Sequence, residues 1–427
     1  MRLLPLLFVM SMPAFAQNPV DTIRPDAPAL ATPGPHAIGV QTLRVTDQAR
    51  PDVIASLDRD RVQRSDRMLT VEIWYPAAPG TEPGGTYQTV LRDGDTPVTL
   101  SGQAQRDAAP DAGAYPLVLL SHGYPGNRFL MAHLGENLAS KGYVVAAADH
   151  PDSTYSDQGA FVSTLVNRPL DQAFLVDALA ALDGPFGALI DAENVAVVGY
   201  SMGGYGALIF GGGGLSQTAI TRQTPDAFVP PHNLLAQHAA GGDDLAALVD
   251  PRVKALVAIG PWGRNHTFWD ADSLAPLSKP LLLVAGSEDD VSDYPAMRRI
   301  WQEASGAPRH LLTFDGANHN AAAPIPAPQE SYAISAKLGW APFEHYADAV
   351  WDTARMNNIL QHFVTAHLDV HLKGQADKAA YLDVVPNAAD GVWSMDDAGT
   401  AQADHSYWPG FANRTAKGLR LEYLPPE

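Results

Sequence analysis

Asn194-Val-Ala-Val-Val-Gly-Tyr-Ser-Met-Gly-Gly-Tyr-Gly-Ala-Leu-Ile-Phe210 is the stretch that decides the fold. Its first half, with Val195, Val197 and Val198, is apolar and β-branched, the composition of a strand buried on both faces. Its second half, small and apolar, predicts a helix. Between them Gly199-Tyr-Ser-Met-Gly203 matches the G-x-S-x-G turn, with a strand before it and a helix after it. Such a turn lifts a serine side chain clear of its own backbone. Glycines stand two residues to either side because a side chain there would collide with the adjoining strand or helix. Ser201 is therefore the candidate nucleophile.

A serine nucleophile needs a base to take its proton, an acid to orient that base, and N–H donors for the oxyanion. In an open parallel sheet these belong at the carboxyl ends of strands, in the chain order Ser, acid, His. Pro280 to Gly286 reads as a strand that ends in the acidic turn Ser287-Glu-Asp-Asp290. Arg309 to Phe314 reads as a later strand, and Asp315-Gly-Ala-Asn-His319 follows it. His319 is expected to be the general base and Asp289 its orienting acid, with Asp290 and Glu288 as near competitors. The backbone N–H of Met202 is the first expected oxyanion donor. Tyr124 N–H is the second, in the loop His122-Gly123-Tyr124 after the apolar strand Tyr115 to Ser121. His122 is expected to hold that loop by hydrogen bonds rather than to do chemistry.

Tyr143 to Ala148 and Val253 to Gly260 are further apolar runs, separated by helical patterns at 128–141, 170–182 and 294–304. A strong helical pattern runs from Tyr346 to Leu372. Strands alternating with helices, the strands uniformly apolar, predict an α/β fold: a mostly parallel sheet with helices on both faces. Ala37 to Val45 and Leu69 to Tyr75 read as strands, the latter an outer antiparallel one, and 76–114 as a long surface loop. Residues 17–36 read as a flexible leader to a main domain spanning 37–373. Within that domain 211–250 is too long for an ordinary connection and is expected to be a cap or lid near the site. Residues 374–427 form a C-terminal extension. It is expected to pack on the domain, because Trp393, Tyr407, Trp408 and Phe411 are costly to leave in water.

Residues 1–16 read as a cleavable signal peptide: Arg2, an apolar core from Leu3 to Met12, then Ala14-Phe-Ala16. No stretch is long and apolar enough to anchor the mature chain in a bilayer, so an exported protein, periplasmic or extracellular, is expected. There is no cysteine, which excludes disulfides, thiolate metal sites and a lipidated N-terminal Cys. With 28 basic and 47 acidic residues the net charge is −19. That argues against a nucleic-acid partner.

The motifs Ser121-His-Gly-Tyr-Pro-Gly126, Gly199-Tyr-Ser-Met-Gly203, Gly286-Ser-Glu-Asp289 and Ala317-Asn-His319 resemble those of the α/β-hydrolase superfamily. The resemblance spans roughly Ala37 to Leu372. Within the superfamily the chain looks like the bacterial dienelactone-hydrolase and platelet-activating-factor-acetylhydrolase-like branch. That resemblance implies a carboxylic ester hydrolase acting on a small-molecule ester through an acyl-enzyme, with no metal or organic cofactor. Dienelactone hydrolases proper use a cysteine nucleophile, so the resemblance supports a plain esterase better than a lactonase.

Other features have plainer readings. His362, His367 and His371 share one helix, with His367 and His371 at metal-clamping spacing. No H-E-x-x-H glutamate accompanies them, and a solvated face is expected. Gly211 to Gly214 lacks the lysine of a phosphate loop and reads as a hinge or helix end. Arg128 is expected to ride a helix surface. Trp262, after the strand ending at Gly260, is placed either lining the substrate pocket or in core packing. Two rival functions remain: a peptidase or amidase on the same triad, and a non-catalytic binding protein of the same fold.

Overall fold

The structure is a computed structural model that describes residues 18–223 and 227–427; the expected signal peptide lies outside them. In chain order the first strands are β1 (Asn18–Pro19), β2 (Ile38–Asp52), β3 (Gln63–Pro76), β4 (Gly85–Val90), β5 (Pro97–Gly102) and β6 (Gln105–Arg106). Then follow β7 (Tyr115–Ser121), β8 (Val144–Asp149), β9 (Ile190–Tyr200), β10 (Val253–Ile259), β11 (Leu281–Gly286), β12 (Arg309–Phe314) and β13 (Leu419–Leu424). The main sheet has the order β13-β12-β11-β10-β9-β7-β8-β3-β2-β6. From β8 to β12 every pairing is parallel. The β2–β3 hairpin joins β8 antiparallel, and β13 joins β12 antiparallel.

Side chains alternate across each strand, so a strand buried on both faces must be apolar throughout. Val118 and Leu120 of β7, with Ala196 and Val198 of β9, face one layer, where they meet Leu134 and Leu138 of the helix Ala132–Ser140 and Leu360 of the helix Thr353–Lys373. Leu117, Leu119, Val195 and Val197 face the other, against Leu165 and Leu175 of the helix Phe161–Ala180 and Leu208 of the helix Met202–Phe210. The result is a mixed, mainly parallel sheet with helices on both faces.

Several sequence expectations are corrected. The stretch from Asn18 to His36 is not a flexible leader but part of the fold. β1 pairs with β5, Val20 and Ala31 are buried, and the backbone N–H groups of Arg24 and Leu30 donate to Asn358 Oδ1 (2.9 Å) and His362 Nδ1 (3.1 Å). Periodicity could not reveal this, because fixed partners on a distant helix, not a repeating face, hold the segment.

Nor is 76–114 only a loop. β4 and β5 pair antiparallel and, with β1, make a second, three-stranded sheet. Tyr87 ties this sheet to the body: its hydroxyl accepts from Trp74 Nε1 at 2.9 Å and donates to the buried carboxylate of Glu136. The Gly, Pro and Asp residues that suggested loop fall largely between short strands.

The helix expected over 128–141 is confined to Ala132–Ser140, and the one expected from Leu170 begins at Phe161 and carries Pro169 inside it. Proline has no N–H to give the carbonyl four residues back. That carbonyl, Leu165 O, instead accepts from the Tyr205 hydroxyl at 3.1 Å. The C-terminal helix starts at Thr353, capped by Asp352 accepting from Arg355 N–H (2.8 Å), and ends at Gly374 with φ +66°. Beyond it, Trp408 and Phe411 pack on Phe363 of that helix.

Candidate active site

β9 ends at Tyr200, and Ser201 stands on the turn with φ +52° and ψ −111°, a conformation that costs a non-glycine residue about 1–3 kcal/mol. The flanking glycines are required by contact. A Cβ on Gly199 would lie 2.1 Å from Gly203 O, and one on Gly203 would lie 1.9 Å from Ser121 O on β7. The turn is thus clamped between its own helix and the neighbouring strand.

Ser201 Oγ is 3.0 Å from His319 Nε2, and His319 Nδ1 is 2.8 Å from Asp289 Oδ2. Asp289 is buried, and its other oxygen accepts from the N–H groups of Val291 (2.9 Å) and Ser292 (2.8 Å). Both competitors, Glu288 and Asp290, are exposed. Residues far apart in the chain meet here because β9, β11 and β12 run parallel and end on the same side. His319 is packed against the ring of Tyr200, whose centroid is 5.2 Å away. Asn320 fixes the loop beyond it, donating to Glu344 O (2.9 Å) and Ala347 O (2.7 Å).

The loop His122-Gly123-Tyr124 lies against the nucleophile turn, so close that a Cβ on Gly123 would be 3.3 Å from that of Ser201. His122 holds it. Its Nδ1–H donates to Gly123 O at 2.7 Å, and its Nε2 accepts from His150 N–H at 3.2 Å. That pattern requires the neutral ring, and burial pushes the His122 pKa well below its usual value in agreement. Arg168, fully buried, donates to His122 O and to Ser153 Oγ (2.7 Å). Nothing in the sequence singled out Arg168, because it lies on a helix and reaches the loop only in the folded chain. Among the described residues no acceptor within the chain is found for Tyr124 N–H. Met202 begins the helix, where N–H groups have no partner of their own.

Ser201 and His319 open on a cleft of about 370 Å³ whose lining includes Tyr124, Tyr200, Arg92, Trp340 and His345. A larger cavity, about 520 Å³, lies on the β2–β3 hairpin and contains none of the residues just described. Its lining has no histidine to serve a serine as base, so the smaller cleft is the candidate site.

Trp262 does not line this cleft. It is buried behind Tyr124, in a cluster with Phe161 (ring centroids 5.1 Å apart), Phe228 (5.4 Å) and Phe268 (5.2 Å). The 211–250 segment is not a cap over the cleft either: among its described residues none lines it. Leu215, Leu235 and Leu245 instead bury against the helical layer beside the nucleophile helix, while Phe228 and Arg222 join the aromatic cluster. The walls come from the segment after His319 and from Arg92, at the turn between β4 and β5.

Arg128 is ion-paired to Glu72 (3.2 Å) and Asp149, away from the cleft. His362 and His367 are buried, not on a solvated face. Among the described residues no group of three or more His, Asp or Glu could hold a metal.

A ferulic acid esterase from Streptomyces cinnamoneus superimposes with a TM-score of 0.57 over 84% of this chain and 94% of that one, at 22% identity. The chain has the α/β-hydrolase fold. Residues 107–229 match the family described as PETase, PET hydrolase-like. The chain is also similar to Cutinase est1 of Thermobifida alba, 39% identical over 42% of this chain and 44% of that protein. Cutinase est2 of the same organism is 27% identical over 48% and 53%, and Cutinase cut1 of Thermobifida fusca 38% identical over 48% and 50%. The chain thus spans about half the length of the curated relatives it matches. None of the helices described is long and apolar enough to cross a membrane.

Proposed function

We propose that the chain is a serine hydrolase of carboxylic esters. The observation that carries this reading is the continuous contact Ser201–His319–Asp289 at the mouth of a cleft. Ser201 Oγ attacks the ester carbonyl while His319 Nε2 takes its proton. Asp289, paired to Nδ1–H, holds the ring in the tautomer that leaves Nε2 free to accept. The oxyanion is bound by the N–H groups of Tyr124 and Met202. His319 then protonates the departing alcohol, and water repeats the sequence on the acyl-enzyme to release the acid.

The matching family and relatives, named for PET hydrolase and cutinase activity, support an ester over other acyl substrates. The apolar run and Ala14-Phe-Ala16 support export through a cleaved signal peptide. Trp262 backs the cleft wall through Phe161 and Tyr124, and its backbone N–H donates to Ser201 O at 3.3 Å. The test is hydrolysis of para-nitrophenyl esters from acetate to palmitate by the mature protein and by Ser201→Ala. Turnover lost in the variant supports the reading; turnover retained sinks it.

A further inference from the structure

Arg92 lines the same cleft as Ser201 and His319, half-buried, and it is the arginine that the site leaves uncompensated. Its guanidinium donates to Gln158 Oε1 at 3.1 Å and lies 6.0 Å from the centre of the Trp340 ring. Among the described residues it forms no ion pair. Several other partly or wholly buried arginines do: Arg67 with Asp171 and Asp152, Arg128 with Glu72 and Asp149, Arg264 with Glu303. Arg168, buried without an ion pair, lies outside the cleft lining and spends its donors on His122 O and Ser153 Oγ.

The acids nearby do not neutralise it. Asp93, next in the chain, is committed to its own turn, accepting from Thr96 N–H (2.9 Å), Asp95 N–H (3.1 Å) and Ser335 Oγ (3.0 Å). Asp290 and Glu344 also line the cleft, but both are exposed to solvent, and neither is ion-paired to Arg92. Taking a guanidinium partly out of water without a partner is unfavourable, and burial pulls the Arg92 pKa below its usual value in consequence. A cost of this kind at a cleft is the mark of a group kept for a ligand.

The ligand chemistry follows from the group. Guanidinium offers five N–H donors in a planar fork that matches a carboxylate two bonds at a time, and the Trp340 ring beside it supplies apolar surface. Ser201 and Arg92 share one cleft of about 370 Å³, at the small end of the usual range for a single small ligand. Carboxylate and scissile ester therefore belong to the same molecule. We propose that Arg92 selects esters that carry a free carboxylate, such as half-esters of dicarboxylic acids or acylated hydroxy-acids. This rests on the ester-hydrolase reading above and narrows its substrate class.

Two matched substrate pairs test it: mono-para-nitrophenyl adipate against para-nitrophenyl hexanoate, and para-acetoxybenzoate against para-tolyl acetate. Rates are taken at about 0.15 M salt, where long-range repulsion from the acidic protein is screened, with the enzyme-free rate subtracted. In at least one pair the anionic substrate is expected to show the lower KM. Arg92→Met should raise that KM about tenfold or more, the worth of a charge-assisted hydrogen bond, and move the neutral partner by less than about threefold. Arg92→Lys should recover part of the difference. A purely structural Arg92 would shift both members of a pair alike. That result overturns the proposal, as does equal KM for anionic and neutral esters in the wild type. Loss of all hydrolysis in the wild type, or its survival in Ser201→Ala, would count against the esterase reading instead.

Discussion

The hydroxyl of Ser121 lies 2.9 Å from Nε2 of His150. Nδ1 of the same ring lies 3.0 Å from Asp171 Oδ2, so the core holds a second Ser–His–Asp relay with nearly the spacing of the first. What separates the two is access and backbone. Ser121 ends a strand, is 1% exposed, and its carboxylate partner Asp171 is also bound by Arg50 and Arg67. Ser201 stands out on a positive-φ turn at a cleft. Ser121→Ala should therefore cost less than about tenfold in kcat/KM, whereas Ser201→Ala should cost several orders of magnitude. Ester hydrolysis by the two purified variants decides between them.

The acid of the active relay can be tested in the same way. Asp289→Asn should lower kcat by about 10⁴-fold, because an amide no longer enforces the His319 tautomer. Glu288→Gln, on an exposed side chain one residue away, should stay within about twofold of the wild type. Equal losses in both would remove Asp289 from its role.

Arg168 should act as a positioning residue. Lysine in its place keeps a charge but has a single nitrogen where Arg168 uses Nη1 for His122 O and Nη2 for Ser153 Oγ. Arg168→Lys is expected to lower kcat by about tenfold or more with little change in KM, as the oxyanion loop loosens. A rise in KM at constant kcat would point to substrate binding instead.

Gly203→Ala should damage folding and catalysis together. The added methyl meets the Ser121 carbonyl, part of a central strand that cannot yield as a flexible side chain would. Overpacking of this kind costs about 1–3 kcal/mol. Urea denaturation should show the loss, and the residual folded protein should be slower because the turn that aims Ser201 has moved.

Stability should fall in mild acid. Burial pushes the pKa values of His133, His150, His238 and His310 down to about 4. In the unfolded chain these rings take up protons near 6.5, while in the fold they stay neutral until about 4. The stability from keeping them neutral is whole above pH 6.5 and is lost as pH falls to about 4, at up to about 1.4 kcal/mol per pH unit for each ring. In His238→Gln, where the amide can still donate to Val166 O, the decline between pH 6.5 and 4 should be shallower. An identical decline would exclude His238 as a contributor.

The sequence by itself determined the central sheet and the order of the chemistry. Apolar runs such as Leu117 to Leu120 and Val195 to Val198 have one stable use, a strand covered on both faces. Gly199 and Gly203 mark the turn because backbone atoms stand where a side chain would go. Parallel strands that end on one side then gather Ser201, Asp289 and His319, whatever their separation in the chain. Contacts without a local period were decided only in the tertiary structure. Asn18 to His36 is ordered by pairing with β5 and by single hydrogen bonds to distant elements, among them a helix over three hundred residues away. Pro169 is tolerated because Tyr205, on another helix, occupies the carbonyl that it leaves free. The cleft walls come from Arg92 and Trp340, residues with no motif around them, rather than from the 211–250 insertion. Most telling is the pair of relays. Composition and order allow both Ser121 and Ser201 a histidine and an aspartate, and only the packing of the whole chain closes one off and opens the other to substrate.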